Sequence, residues 1–229
     1  MEGKKWPHPI QCVIFDNDGT LMDTEWAYSW AHKQLTGYDL DWALKARLMG
    51  KQSIESWKIT CEYYGLKESP EVLSEKRTKL LEDCWKDIKL MPGAAELVKK
   101  LKERGIRVCI ATSSRRPVFL QKASKSMDLV NQMDHVICGD DVAHGKPEPD
   151  IFLAALNKYD GIPPEAALVF EDSPLGIKAA NNAKMPSVFV PDPHLNIEES
   201  LAEQDAHPEV VISSLEAFNF NDFDWQPQK

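Results

Sequence analysis

Residues 10–21 read Ile10-Gln11-Cys12-Val13-Ile14-Phe15-Asp16-Asn17-Asp18-Gly19-Thr20-Leu21, a short apolar run that breaks into two carboxylates and a glycine. A run of this length without alternation suits a strand buried on both faces. Similar runs recur at 108–111, 136–138, 167–170, 187–190 and 210–212. Helical patterns lie between them. Residues 94–104 place Leu97, Val98 and Leu101 on one face and stop at Gly105. Pro149-Asp150 opens a second helix carrying Ile151, Phe152, Ala155 and Leu156, and Pro174 opens a third with Ile177 and Ala180 inward. This alternation predicts an α/β fold, a Rossmann-like doubly wound parallel sheet.

Residues 22–89 break the alternation. They hold no convincing strand and read as helices over 26–36, 42–49, 54–64 and 70–87. Five of the seven tryptophans fall there. A helical insertion directly after the first strand reads as a cap over the ligand-binding edge of the sheet. The expected organisation is core 1–21, an inserted α-helical cap domain 22–89 and core 90–229, with Leu90-Met91-Pro92-Gly93 as the return hinge.

The net charge of −9 disfavours a nucleic-acid or anionic-membrane partner. No apolar run approaches the roughly 20 residues needed to span a bilayer, and residues 1–9 are polar, so a cytoplasmic protein is expected. Cys12, Cys109 and Cys138 lie within apolar runs, which suits free thiols in a reducing compartment. The five cysteines show no zinc-binding spacing. A monomer or weak dimer is the expectation.

In a parallel sheet the strand ends share one edge, so four polar groups converge. Asp16 and Asp18 follow the first strand, and Thr112-Ser113-Ser114 follow the run at 108–111. Gly145-Lys146-Pro147 lie in the loop after 136–138, and Glu171-Asp172-Ser173 follow 167–170. Each group has a plain alternative as a helix cap, a helix-dipole charge or a solvated loop residue. Together they are what phosphoryl transfer to a carboxylate requires. Asp16 is ionised at neutral pH and needs no base to attack phosphorus. Asp16, Asp172 and the backbone carbonyl of Asp18 are hard oxygen donors suited to Mg2+. Lys146 supplies positive charge, while Thr112 and the Ser113 N–H, read as lying at a helix start, bond the phosphoryl oxygens. Asp18 is placed to protonate the leaving alkoxide and later to activate water.

The order DxDGT, ATSS, GKPEPD, FEDS resembles the haloacid dehalogenase superfamily, in the branch with a helical cap after the first strand. The resemblance implies Asp16 as nucleophile, Asp18 as general acid/base, Thr112 and Lys146 as phosphate contacts, Asp172 as magnesium ligand and Glu171 as its support. Strings such as LMPGA (90–94), HGKPEPDIFLAA (144–155) and LVFEDSPLGI (168–177) look closest to the pseudouridine-5′-phosphatase-like and glycerol-phosphate phosphatase groups. The superfamily's dehalogenases lack the counterpart of Asp18, which argues for a phosphatase.

The alternatives are a phosphosugar mutase of the β-phosphoglucomutase type and a catalytically idle phosphometabolite-binding protein, the latter disfavoured because Asp16, Asp18, Lys146 and Asp172 are all present. Mutases resembling β-phosphoglucomutase carry a cap histidine about where Tyr28 stands and a cap arginine near Ser53, and neither aligns here. Tyr28, Lys51, Gln52, Ser114 and Arg115 are candidate substrate contacts. Trp26 and Trp30, spaced i, i+4, read as the cap's own core and His32 as cap surface. The aromatic tail from Phe218 to Trp225 reads equally as docked on the core or as a partner contact.

Overall fold

The computed structural model describes residues 6–48, 51 and 53–227. Strand β1 (Cys12–Phe15) is followed by β2 (Met22–Asp23), helices α1 (Glu25–Thr36), α2 (Trp42–Leu48), α3 (Ser53–Tyr64) and α4 (Pro70–Cys84), and β3 (Lys89–Leu90). The chain then alternates. It runs through α5 (Ala94–Glu103), β4 (Arg107–Ala111), α6 (Arg116–Ala123), α7 (Met127–Val130), β5 (Val136–Ile137) and α8 (Asp150–Leu156). It continues with β6 (Ala167–Glu171), α9 (Pro174–Asn182), β7 (Ser187–Phe189), α10 (Ile197–Gln204) and β8 (Val210–Val211).

The main sheet has the order β5-β4-β1-β6-β7-β8, and every pairing is parallel. Successive strand residues serve opposite faces. Val13, Phe15, Val108, Ile110, Leu168 and Phe170 pack with Leu97, Leu101 and Phe119 of α5 and α6. Cys12, Ile14, Cys109, Ala111 and Val169 pack with Ile151, Phe152 and Ala180 of α8 and α9. With both faces covered, these strands need no polar alternation, which is why the sequence shows runs. Each large side chain so buried contributes about 1.5–3 kcal/mol. The chain leaves β1 for β4 on one side and returns through β6 on the other, which puts the switch point of the sheet beside β1.

The aromatic tail docks on this core. Phe218 meets Phe170 edge-on at 5.0 Å, Phe223 is buried, and the Ile10 N–H donates to Asp224 O at 2.7 Å.

The insertion is helical as expected, with two differences. Its ends are joined by an antiparallel pair, Met22↔Leu90 and Asp23↔Lys89, strands too short to leave a period in the sequence. The helix read over 70–87 stops at Cys84, and a 3₁₀ turn (Trp85–Asp87) tightens the exit. α4 itself starts cleanly: Ser69 Oγ accepts from Val72 N at 3.3 Å and Pro70 takes the first position. Three side chains depart from the places read for them. Trp26 and Trp30 are each 40% exposed, whereas His32 is buried against Trp57, ring centroids 6.2 Å apart. The i, i+4 tryptophans therefore occupy the outer face of α1, and Ala27 and Ala31 the inner one. Among the described residues no helix is long and apolar enough to cross a membrane.

Candidate functional site

Phe15 lies beside Ile110 and Phe170, so the residues that follow these three strands leave the sheet side by side. Asp16 is the first of them, its N–H donating to Phe170 O at 2.9 Å. Its Oδ1 accepts from Lys146 Nζ at 2.6 Å, and the same ammonium bonds Glu171 Oε1. Glu171 is held from behind, where Oε2 accepts from the N–H and the hydroxyl of Ser173, both at 2.9 Å. A Cβ on Gly176 would lie 1.9 Å from the Glu171 carboxyl, so α9 approaches this closely only as glycine. Gly19 does the same for Asp172. It turns at φ +80°, and a Cβ there would sit 2.2 Å from Asp172 Oδ2.

Three carboxylates, Asp16, Glu171 and Asp172, thus crowd one ammonium. Burial pushes the Asp16 carboxyl up to about 7 against the pull of Lys146, with Glu171 and Asp18 adding to the rise. Asp172 rises well above the usual range through burial first, then repulsion from Glu171 and Asp16. Burial alone would lower Lys146, but Asp16 and Glu171 outweigh it and raise its pKa.

Asp18 faces a second ammonium. Lys122 Nζ bonds Asp18 Oδ1 at 2.5 Å, Ser114 Oγ at 2.8 Å and Tyr28 OH at 2.9 Å. Burial would raise Asp18, yet Lys122 and the Ser114 hydroxyl hold its carboxyl below the usual range. Four carboxylates therefore meet two ammonium groups in one cleft. That residual negative charge, carried by hard oxygens, fits a divalent cation. Among the described residues no three acidic, cysteine or histidine side chains form a complete metal cage.

Thr112 is fully buried, and its hydroxyl lies 3.4 Å from Asp18 Oδ2 and accepts from Ser114 N at 3.1 Å. Ser114 Oγ donates to Asp18 Oδ2 at 2.9 Å. Ser113 departs from expectation: α6 begins at Arg116, so its N–H belongs to the loop before the helix and not to a helix start. Pro117 falls in the first turn of α6, where its missing N–H forfeits no helical bond. Arg115 is exposed. Lys51 pairs with Glu55 at 3.1 Å and lines a cavity of about 30 Å³ with Pro174, Leu175 and Leu195. Gln52 lies outside the described residues.

Residues 10–184, the span that carries Asp16, Asp18, Thr112, Lys122, Lys146, Glu171 and Asp172, match the family model of haloacid dehalogenase-like hydrolases. The chain belongs to that family. (DL)-glycerol-3-phosphatase 2 of Arabidopsis thaliana is 39% identical over 216 residues, covering 90% of this chain and 88% of the relative. A protein of Drosophila melanogaster named a probable pseudouridine-5′-phosphatase is 35% identical and covers 92% of each chain. The crystal structure of CbbY from Rhodobacter sphaeroides in complex with phosphate covers 93% of this chain and 99% of its own, with a TM-score of 0.72 at 24% identity, a likeness of fold. Both of these curated relatives carry phosphatase names.

Two residues of this hydrolase's cleft escaped the sequence reading. Lys122 sits on the buried face of α6 with Phe119 and Ala123, a position that its sequence neighbours do not mark. Arg77 of α4 donates to Ser53 Oγ at 2.6 Å and lies 5.6 Å from the Tyr28 ring and 5.7 Å from that of Trp57. Among the described residues it has no carboxylate within ion-pair distance. The insertion thus does bring an arginine to Ser53, from a helix that sequence alignment does not place there.

Proposed function

We propose that the protein is a magnesium-dependent phosphatase that hydrolyses a small phosphorylated metabolite through a phospho-aspartyl intermediate on Asp16, with the helical insertion acting as a cap. The observation that carries this reading is the buried Asp16–Lys146 contact of 2.6 Å at the end of the central strand, with Asp172 crowding it and Asp18 two residues on. Asp16 attacks phosphorus as the bond to the leaving oxygen breaks, and Asp18 supplies that oxygen's proton. Water then attacks the phospho-aspartate, its proton passing to Asp18. Lys146 and the hydroxyl of Thr112 face the phosphoryl oxygens and hold them for in-line attack. Asp16, Asp172 and the Asp18 carbonyl would hold Mg2+, which when bound offsets the repulsion between phosphate and carboxylates. The cap closes over the leaving group and excludes bulk water. The names of the relatives nominate glycerol 3-phosphate and pseudouridine 5′-phosphate as first substrates to try.

One observation favours a second reading, a phosphosugar mutase: Arg77 places a guanidinium beside Ser53, where it would retain a second phosphate. Tyr28, at the place of the mutase histidine, favours hydrolysis. Phosphate release from a panel of phosphomonoesters, with Mg2+ or EDTA and with Asp16→Asn, tests both. Free phosphate from wild type and none from the variant supports the phosphatase. An isomerised ester without free phosphate makes it a mutase, and turnover by Asp16→Asn removes the nucleophile.

A further inference from the structure

Lys122 has no exposed surface, although its helix also carries Leu120, which is half exposed. Burying an ammonium forfeits several kcal/mol of hydration unless each proton finds an acceptor. All three do. Asp18 Oδ1, Ser114 Oγ and Tyr28 OH lie 2.5, 2.8 and 2.9 Å from Nζ, which saturates a lysine. Two rings complete the enclosure, Tyr28 with its centroid at 5.3 Å and Trp85 at 4.9 Å, and they meet edge-on at 5.7 Å.

The origin of these partners carries the inference. Tyr28 lies on α1, the segment entering the cap just after β2, and Trp85 in the turn leaving it just before β3. β2 and β3 pair with each other, so the two rings flank the strands that join cap to core. Ser114 belongs to the loop after β4 that also carries Thr112, and Asp18 is the proposed acid/base. One core ammonium therefore binds both connections of the cap, the loop after β4 and the proton-transfer group.

We propose that Lys122 is a positioning residue that sets Asp18 in register with the cap hinge, so that the carboxyl reaches the reacting oxygen when Tyr28 and Trp85 are in place. The proposal rests on the phosphatase reading. Lys122 touches no phosphoryl oxygen and keeps its proton throughout. The monoanionic ester brings the proton that Asp18 gives to the leaving oxygen as that P–O bond breaks and the Asp16 O–P bond forms, and Asp18 takes one from water as the phospho-aspartate is hydrolysed.

An aryl ester separates this role from a structural one, because p-nitrophenolate leaves without a proton. Rapid quench of the full-length protein with Mg2+ would compare p-nitrophenyl phosphate with whichever alkyl phosphate the wild type hydrolyses. In Lys122→Met the p-nitrophenolate burst rate should stay within about 3-fold, while transfer from the alkyl ester falls about 100-fold or more, the worth of a placed general acid. The steady rate on the aryl ester should also fall, since water attack needs Asp18. Equal losses in burst and alkyl transfer, or no loss in either, would overturn the proposal. Tyr28→Phe keeps the ring and removes one acceptor of Lys122. It should show the same pattern at about 3- to 10-fold, and it decides the matter alone if Lys122→Met does not fold. A wild type that releases no phosphate, or an Asp16→Asn variant that keeps its burst, sinks the phosphatase reading instead, whatever Lys122 does.

Discussion

The indole of Trp42 on α2 stacks on the imidazole of His194, with ring centroids 5.2 Å apart and planes within 19°. Lys45, one turn on, lies 4.2 Å from the same indole and bridges Glu25 at 3.0 Å and Asp192 at 3.4 Å. His194 and Asp192 belong to the loop after β7, so the helical insertion, the proposed cap, is fastened to the rest of the chain at a second place, away from the β2–β3 pair. A stacked aromatic pair is worth about 0.5–1.5 kcal/mol, which corresponds to about 2- to 12-fold in a binding constant. Trp42→Ala should raise KM by about that factor and change kcat by less than about 3-fold, since nothing here touches the reacting atoms. Steady-state kinetics check it, and an unaltered KM would show that the latch does not favour the closed cap.

The crowding of Asp172 by Glu171 and Asp16 makes its charge costly when no cation is bound, as its raised pKa reflects. Asp172→Asn removes that repulsion and one hard donor together. The variant should lose about 100-fold or more in turnover while its melting temperature in EDTA equals or exceeds that of wild type. Millimolar Mg2+ should raise the wild-type melting temperature and leave the variant's unchanged. Equal stabilisation of both by Mg2+ would place the cation elsewhere.

His32 offers a pH test of the cap. Burial against Trp57 disfavours the imidazolium, Arg77 adds to that and Asp41 opposes it, so its pKa lies below the ordinary value of about 6.5. Between the folded value and about 6.5 the unfolded chain binds more protons than the folded one. Stability from this group is therefore complete above about pH 6.5 and is lost as pH falls through the folded pKa. Melting curves at pH 7.5 and 5.5 should show a smaller acid-induced drop for His32→Phe than for wild type. Parallel drops would mean that His32 does not sense pH.

The gathering of the candidate residues at one edge was legible because a parallel sheet sends every strand end to one side. Asp16, Thr112, Lys146 and Glu171-Asp172 needed only the order of strands to be gathered, and the apolar runs supplied it. Lys122 and Arg77 were not legible, since each is a lone cation on a helix of mixed polarity, and its burial depends on how cap and core meet. Tyr28 was visible as a position but not as a ligand of Lys122, a contact between residues 94 positions apart. The hinge strands span two residues each, too few for any period. The tail could be read two ways because Phe218, Phe223 and Trp225 suit either a core or a partner, and only the packing of Phe218 on Phe170 decides it.

Asn17 provides the last prediction. It stands between the two aspartates and is fully buried, and neither its Oδ1 nor its Nδ2 has a hydrogen-bond partner among the described residues. Its main chain holds the turn, since its carbonyl accepts from the N–H groups of Leu21 and Met22 at 3.0 and 2.9 Å. A buried amide without partners costs about 1–3 kcal/mol, whereas the main-chain bonds survive any side-chain replacement. Asn17→Leu keeps the same branched skeleton, with methyls bulkier than the amide's oxygen and nitrogen, and should raise stability by up to about 1 kcal/mol in urea unfolding, with turnover within about 3-fold of wild type. Loss of stability, or a tenfold fall in kcat with the fold intact, would show instead that the amide has a partner in the working enzyme and that the site extends behind the two aspartates.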